Sequence, residues 1–147
     1  MDYGRARIGL AIATEEARLA KPLTTLERIT RNEDMRRLRE LVRTHGVSRI
    51  VVGLPLLLNG TRGEMAEEAE RFAQRARKQI GVHVEMMDER LTSWEAERLL
   101  EEEFGKKYRD ETDKKKKKAD EKPTVDSVAA AVILREYLAK QEEQERA

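Results

Sequence analysis

Val84-Glu85-Met86-Met87-Asp88-Glu89-Arg90-Leu91-Thr92-Ser93 changes its periodicity halfway, and that change decides the fold. Val82, Val84 and Met86 alternate with His83, Glu85 and Met87, the period-two pattern of a strand. Thr92 followed by Glu95 is a capping box with Trp94, Leu99 and Leu100 behind it, so a helix starts there. Between strand and cap stand two carboxylates and a guanidinium: Asp88, Glu89 and Arg90. In an α/β chain that junction is the carboxyl end of a strand, where ligands usually bind.

Upstream, Arg49-Ile50-Val51-Val52-Gly53 is a short β-branched run that reads as a buried parallel strand, followed by an apolar loop from Leu54 to Gly60. Met65, Ala69, Phe72, Ala73, Ala76 and Ile80 then fall on one helical face ending at Gly81. Earlier still, Asn32 is the expected cap of a helix carrying Met35, Leu38, Leu41 and Val42, which Gly46 stops and to which His45 adds a C-terminal charge. Met1 to Tyr3 reads as the end of a first strand, Gly4 to Arg7 as a tight turn and Ile8 to Ala13 as a second strand, the two forming a hairpin. After a polar loop over 14–21, Leu23 to Ile29 is a third strand with weak alternation.

Downstream, the helix after Thr92 should stop at Gly105. Residues 105–123 then carry nine basic and five acidic residues with almost nothing to bury, and read as a mobile basic loop. Thr124 caps a last helix buried through Val125, Val128, Ala129, Val132 and Ile133, with Asp126 in its first turn and a frayed tail after Lys140. A meander followed by alternating strand and helix predicts one α/β domain over residues 1–147, with a five-stranded mixed sheet and helices on both faces.

Composition narrows the chemistry. Without cysteine, disulfides and thiolate zinc sites are excluded, and two histidines argue against a histidine-rich metal centre. A metal would therefore be held by oxygen, as Mg²⁺ or Mn²⁺ is. No apolar run approaches the roughly 20 residues of a membrane span and no signal peptide is visible, so a cytoplasmic protein without a membrane partner is expected. The net charge of +1 announces no nucleic acid, which leaves local clusters to do so.

The acids are the informative cluster. Asp2 lies at a strand end, Asp88 and Glu89 at another, and Asp126 at a helix start. If the first and fourth strands are parallel neighbours, Asp2 and the 88–89 pair share one sheet edge. Carboxylates brought together repel, and they stay ionised only with cations between them. Two Mg²⁺ about 4 Å apart would serve, and would activate water for phosphodiester hydrolysis. Taken singly, each residue has a plainer reading. Asp88 and Glu89 can be solvated, Asp126 suits a helix dipole, and Asp2 can belong to a frayed terminus. Arg7 and Arg90 can contact phosphate or pair locally, and Lys114, Lys115, Lys116, Lys117 and Lys118 can grip a phosphate backbone or simply be hydrated.

Asp2-Tyr3-Gly4 through Arg7-Ile8-Gly9, Val52-Gly53-Leu54-Pro55 with Asn59-Gly60, Asp88 through Ser93, and Val125-Asp126-Ser127-Val128-Ala129-Ala130 together resemble the YqgF (RuvX) family. These bacterial proteins are RNase H-like and are described both as Holliday junction resolvases and as nucleases maturing the 5′ end of pre-16S ribosomal RNA. The resemblance runs from residue 1 to about 139, apart from the lysine loop. It implies an acidic triad of Asp2, Glu89 and Asp126 as catalytic metal ligands, with Asp88 as a further oxygen donor. It implies nucleic acid as partner, structured RNA before branched DNA, in a monomer or homodimer. A junction resolvase would need two active sites, hence the dimer. A non-catalytic RNA-binding module is a second reading. A sugar-kinase-like ATPase ranks last, because it needs a second lobe to enclose the nucleotide.

Overall fold

A computed structural model describes residues 1–54, 63–88 and 124–146, together with Arg98 and Glu102. Strands β1 (Arg7–Ile12) and β2 (Lys21–Glu27) pair antiparallel, and β3 (Arg49–Leu54) and β4 (His83–Asp88) pair parallel. Helices α1 (Arg31–His45) and α2 (Glu64–Ile80) precede β3 and β4, and α3 (Val125–Arg146) closes the chain.

Among the described residues the expected five-stranded sheet is not formed: their strands make two two-stranded sheets. Residues 1–3 contribute a link rather than a strand. The Met1 ammonium donates to the Val51 carbonyl at 2.6 Å, and Gly53 N–H donates to the Met1 carbonyl at 2.9 Å. Asp2 and Gly9 exchange backbone bonds of 2.9 and 3.0 Å as an isolated antiparallel bridge. One rung on each side is too little ladder for a strand, so the predicted hairpin of the first two strands reduces to that bridge. The hairpin the chain does make is β1–β2.

Helices lie on both faces. Ile8, Leu10, Ile50, Val52 and Val84 bury one face against Met35 and Leu38 of α1 and Phe72, Ala73 and Ala76 of α2. On the other face Ile133 of α3 packs on Val51 and Met87, and Ala131 and Val132 pack on Ala20. Alternation along each strand makes this division, because neighbouring side chains point to opposite sides. Both faces being covered accounts for the unbroken apolar run of β3.

Strand ends shift by one or two residues from the sequence reading, β2 running over Lys21–Glu27 rather than Leu23 to Ile29, and two helix ends differ. The cap of α1 is Thr30, not Asn32: Thr30 Oγ1 accepts Glu33 N–H at 3.1 Å. The Thr30 hydroxyl thereby satisfies an orphan N–H of the first turn. Gly46 ends α1 at φ 62°, a left-handed conformation that favours glycine. The tail of α3 is not frayed after Lys140 but helical to Arg146, because Arg18 reaches Glu142 and Glu145 at 3.7 and 3.0 Å. Of the helix expected after Thr92, Arg98 and Glu102 are described and are helical; Trp94 and the rest of that helix, the apolar loop after Leu54 and the basic loop of 105–123 lie outside the described residues.

Candidate acidic site

Asp2 is placed by its neighbours. Met1 is bonded to β3, while Tyr3 is buried with its ring 5.4 Å from that of Phe72. Arg28 stacks over the Tyr3 ring at 5.1 Å and donates to Tyr3 Oη at 2.8 Å and to the Gly4 carbonyl at 3.3 Å. Arg28 is itself held by Asp34, which is only 2% exposed. Burial alone would raise the Asp34 carboxyl, but the Ile29 N–H and the Arg28 and Arg37 guanidiniums outweigh it and hold the group below its ordinary value. The chain on either side of Asp2 is therefore fixed by packing and by a buried ion pair.

Asp126 approaches the same point from α3. A Cβ on Gly9 would stand 1.9 Å from the Asp126 carbonyl oxygen, so the start of α3 rests directly on the backbone of β1. Only a glycine allows that approach. The helix start is locked in turn. Thr124 Oγ1 accepts Ser127 N–H at 3.0 Å, and Ser127 Oγ accepts Thr124 N–H at 2.7 Å. Thr25 of β2 is hydrogen-bonded to the Thr124 hydroxyl. Gly9 thus has Asp2 bonded to its backbone and Asp126 against its α-carbon.

Face and register sort the remaining residues. The Met1 bonds set Met1 beside Val52 and hence Asp2 beside Gly53, which pairs with Met87. Met87 and Val51 face α3, so Asp2 starts from the α3 face, where Asp126 also lies. Asp88 pairs with Leu54 and alternates with Met87, which puts it at the same edge on the α1–α2 face. Asp2 and Asp126 are brought to one face and Asp88 to the other. Arg7 is placed against Asp126, its Nε 3.4 Å from Oδ2. Among the described residues no group of three or more histidine, aspartate or glutamate side chains converges as a metal site. Glu89, Arg90 and Lys114 to Lys118 lie outside the described residues. Gly9 and Ser127 were not singled out as site residues from sequence. The Asp126-Ser127 pair behind Thr124 and the spacing of Gly9 from Asp2 are signals that acquire meaning only once α3 is docked.

A second polar cluster lies at the opposite end of β3 and β4. Tyr137 Oη donates to Glu85 at 2.5 Å and accepts from Arg49 at 2.8 Å, and His83 Nε2 lies 2.7 Å from the other Glu85 oxygen. The Tyr137 hydroxyl, then the His83 contact, hold the Glu85 carboxyl below its ordinary value. Burial, then the Glu85 carboxylate, push the Tyr137 hydroxyl up. This cluster anchors the far half of the helix that carries Asp126.

The α/β fold with helices on both faces is RuvC-like, that is RNase H-like. The Thermus thermophilus RuvC structure aligns with a TM-score of 0.53 over 97% of this chain and 93% of that one, at 13% identity. A family model for RuvX, described as Holliday junction resolvase, matches residues 1–140. A protein of Anaeromyxobacter sp. (strain K) named "Putative pre-16S rRNA nuclease" is 44% identical over 138 residues, 94% of this chain and 93% of its own. One of the same name from Chloroflexus aurantiacus is 42% identical over 94% of this chain and 83% of its own. The chain belongs to the RuvX (YqgF) family.

Proposed function

We propose that this chain is a metal-dependent nuclease that hydrolyses phosphodiester bonds during 5′-end maturation of pre-16S ribosomal RNA in the cytoplasm. The observation that carries the reading is the convergence on Gly9: Asp2 bonds to its backbone while the Asp126 backbone lies against its α-carbon. Two acidic residues far apart in sequence are held on one face by a close approach that excludes any side chain between them. The substrate is taken from the names of the relatives and the hydrolytic chemistry from the family description.

The donor set suits a hard divalent cation, since it consists of carboxylate oxygens and Asp126 already draws a cationic partner in Arg7. Asp2, Glu89 and Asp126 would hold Mg²⁺ or Mn²⁺, with Asp88 in support from the opposite face. Bound there, such an ion supplies an activated water and stabilises the leaving oxygen. Arg7, turned from Asp126, can meet a phosphate, and Arg90 and Lys114 to Lys118 are further phosphate contacts.

The test is a cleavage assay comparing precursor ribosomal RNA with a four-way DNA junction, with and without Mg²⁺, using the parent and Glu89→Gln. The expected result is metal-dependent cleavage of the RNA, lost in the variant, with binding in chelator kept. Undiminished cleavage by the variant would refute the assignment of Glu89. Cleavage of the junction alone would replace the RNA reading by the resolvase one. Binding by the parent without cleavage of either would leave an RNA-binding module.

A further inference from the structure

Arg75 lies half-buried on α2 with a guanidinium that the described residues leave unpaired. Its Nε and Nη1 are buried and have no hydrogen-bond partner. Buried polar groups in folded proteins are almost always bonded, so two stranded N–H groups on one cation call for a reason. The surroundings make them costlier. Burial, then the charges of Arg31, Arg28 and Arg71, hold the Arg75 guanidinium below its ordinary value. The nearby carboxylates are already engaged: Glu68 by Arg5 at 3.0 Å, and Asp34 by Arg28 and Arg37 at 3.2 and 3.1 Å. Among the described residues none forms an ion pair with Arg31, Arg71 or Arg75.

These arginines form one patch. α1 and α2 each turn back directly into a strand, β3 and β4, and those strands are parallel, so the two helices run side by side in the same direction. Arg39 Nε donates to the Gln79 carbonyl at 3.3 Å, which fixes their stagger. Counting back equally from that pair sets Arg31 of α1 level with Arg71 of α2, and Arg75 lies one turn further along the same side of α2. Arg28, just past β2, borders the patch with its guanidinium 5.1 Å from the Tyr3 ring and 5.8 Å from the Phe72 ring. Tyr3 follows Asp2, so the patch begins beside the sheet edge of the candidate acidic site and extends over the α1–α2 face. Ile29, 68% exposed, lies between Arg28 and Arg31 in the chain.

We propose that Arg31, Arg71 and Arg75 form a phosphate-binding patch for a nucleic-acid strand that passes over the α1–α2 face. A guanidinium offers paired N–H groups to two phosphate oxygens. No hydrogen bond restrains Nε and Nη1 of Arg75, so its side chain can turn outward to meet the phosphate. The ligand brings negative charge and thereby offsets the mutual repulsion of three arginines, which a water molecule cannot do. Exposed Ile29 suits the sugars and bases of a strand better than a free ion. Phosphate contacts position a strand without reading its sequence, so the patch fixes where the nucleic acid lies and not which bases it carries. That the strand arrives from the acidic edge rests on the proposed nuclease site; the phosphate contacts do not.

The experiment measures binding of a labelled single-stranded RNA in chelator over a range of salt. It compares the parent, Arg75→Met, and Arg31→Ser combined with Arg71→Ser. The log–log salt slope should flatten by about 0.7 in the first variant and about 1.4 in the second, with affinity at low salt about tenfold or more weaker in each. Without RNA, Arg75→Met should melt at or above the parent, because it removes a buried charge that has no partner. A parental slope in either variant would overturn the proposal. So would a large fall in the Tm of Arg75→Met, which would mark a structural cation; the paired variant changes only exposed side chains and reports on binding with the fold intact. Polyglutamate and inorganic phosphate are titrated in parallel. If either loses affinity in the variants while RNA does not, the patch serves an acidic protein or a free ion and the strand reading fails. Cleavage in Mg²⁺ is scored separately. Weaker binding in the variants of a parent that does not cleave would uphold the patch and refute the nuclease reading, and cleavage by the parent with unchanged binding in the variants would do the reverse.

Discussion

Gly9→Ala is the sharpest perturbation of the candidate site, because it adds one methyl group where two acidic residues meet. The new Cβ would stand 1.9 Å from the Asp126 carbonyl oxygen, 2.3 Å from its carbonyl carbon and 3.0 Å from its Cα. All three are backbone atoms, so no rotamer change relieves the contact. To recover even a tight 3.0 Å, the start of α3 must move by about 1.1 Å relative to β1. Overpacking of this kind costs about 1–3 kcal/mol. At about 2–4 °C per kcal/mol for a chain near this size, Tm should fall by roughly 2–12 °C. The functional loss should be larger in proportion, since a displacement of about 1 Å in a catalytic group costs about a hundredfold. The measurements are the thermal melt in chelator, the Tm rise on Mn²⁺ addition, and cleavage of precursor ribosomal RNA at saturating Mg²⁺. The variant should melt as a folded protein, lose most of its Mn²⁺ response and cleave about a hundredfold more slowly. If Gly9→Ala cleaves within about threefold of the parent and melts within about 1 °C of it, the close approach does not position Asp126 and the reasoning fails.

Other outcomes follow from the same structure. Asp34→Ala strands the Arg28 and Arg37 guanidiniums and loosens the clamp on Tyr3, and should cost about 3 kcal/mol in urea unfolding; a loss below about 1 kcal/mol would show that the ion pair is replaceable by solvent. Glu85 is held below its ordinary value, chiefly by Tyr137, so its stabilising contribution is complete above about pH 4.5 and is lost as pH falls through the lower folded value. Tyr137→Phe should therefore be less stable than the parent at pH 7, with the gap narrowing as pH falls through the lowered folded-state value of Glu85; a gap independent of pH would refute the linkage. Replacing Lys114 to Lys118 by serine should flatten the salt dependence of single-stranded RNA binding by up to about 3.5 in log–log slope, while an unchanged slope would mark a run that only contacts water.

Local physics made much of this chain legible before folding. Periodicity identified β3, β4 and α2, and the glycines at 46 and 81 ended their helices where expected, since both adopt positive φ. Phe72 could be assigned to the core from its helical face, and Thr124 could be read as a cap, because both depend only on neighbours three or four residues away. Thr30 was legible in principle, with Glu33 three residues on, but Asn32 competed for the same role. What sequence patterns do not contain is which backbone edges meet. The residues of the Met1–Tyr3 segment have the composition of a strand, yet a strand exists only through its rungs, and the tertiary structure supplies one on each side. The helicity of the last residues of α3 depends on Arg18, more than a hundred residues earlier, which no local signal encodes.

The acids divide in the same way. Their identity, and the hard oxygen chemistry they imply, were determined by residue type alone: carboxylates, no thiols and two histidines. Their grouping was decided by tertiary structure. Alternation sends Asp2 and Asp88 to opposite faces, while the missing side chain of Gly9 lets α3 bring Asp126 to the face of Asp2. Residue chemistry is a property of each position and can be read along the chain. Proximity depends on register and close approach between segments distant in sequence, and only the packed backbone fixes it.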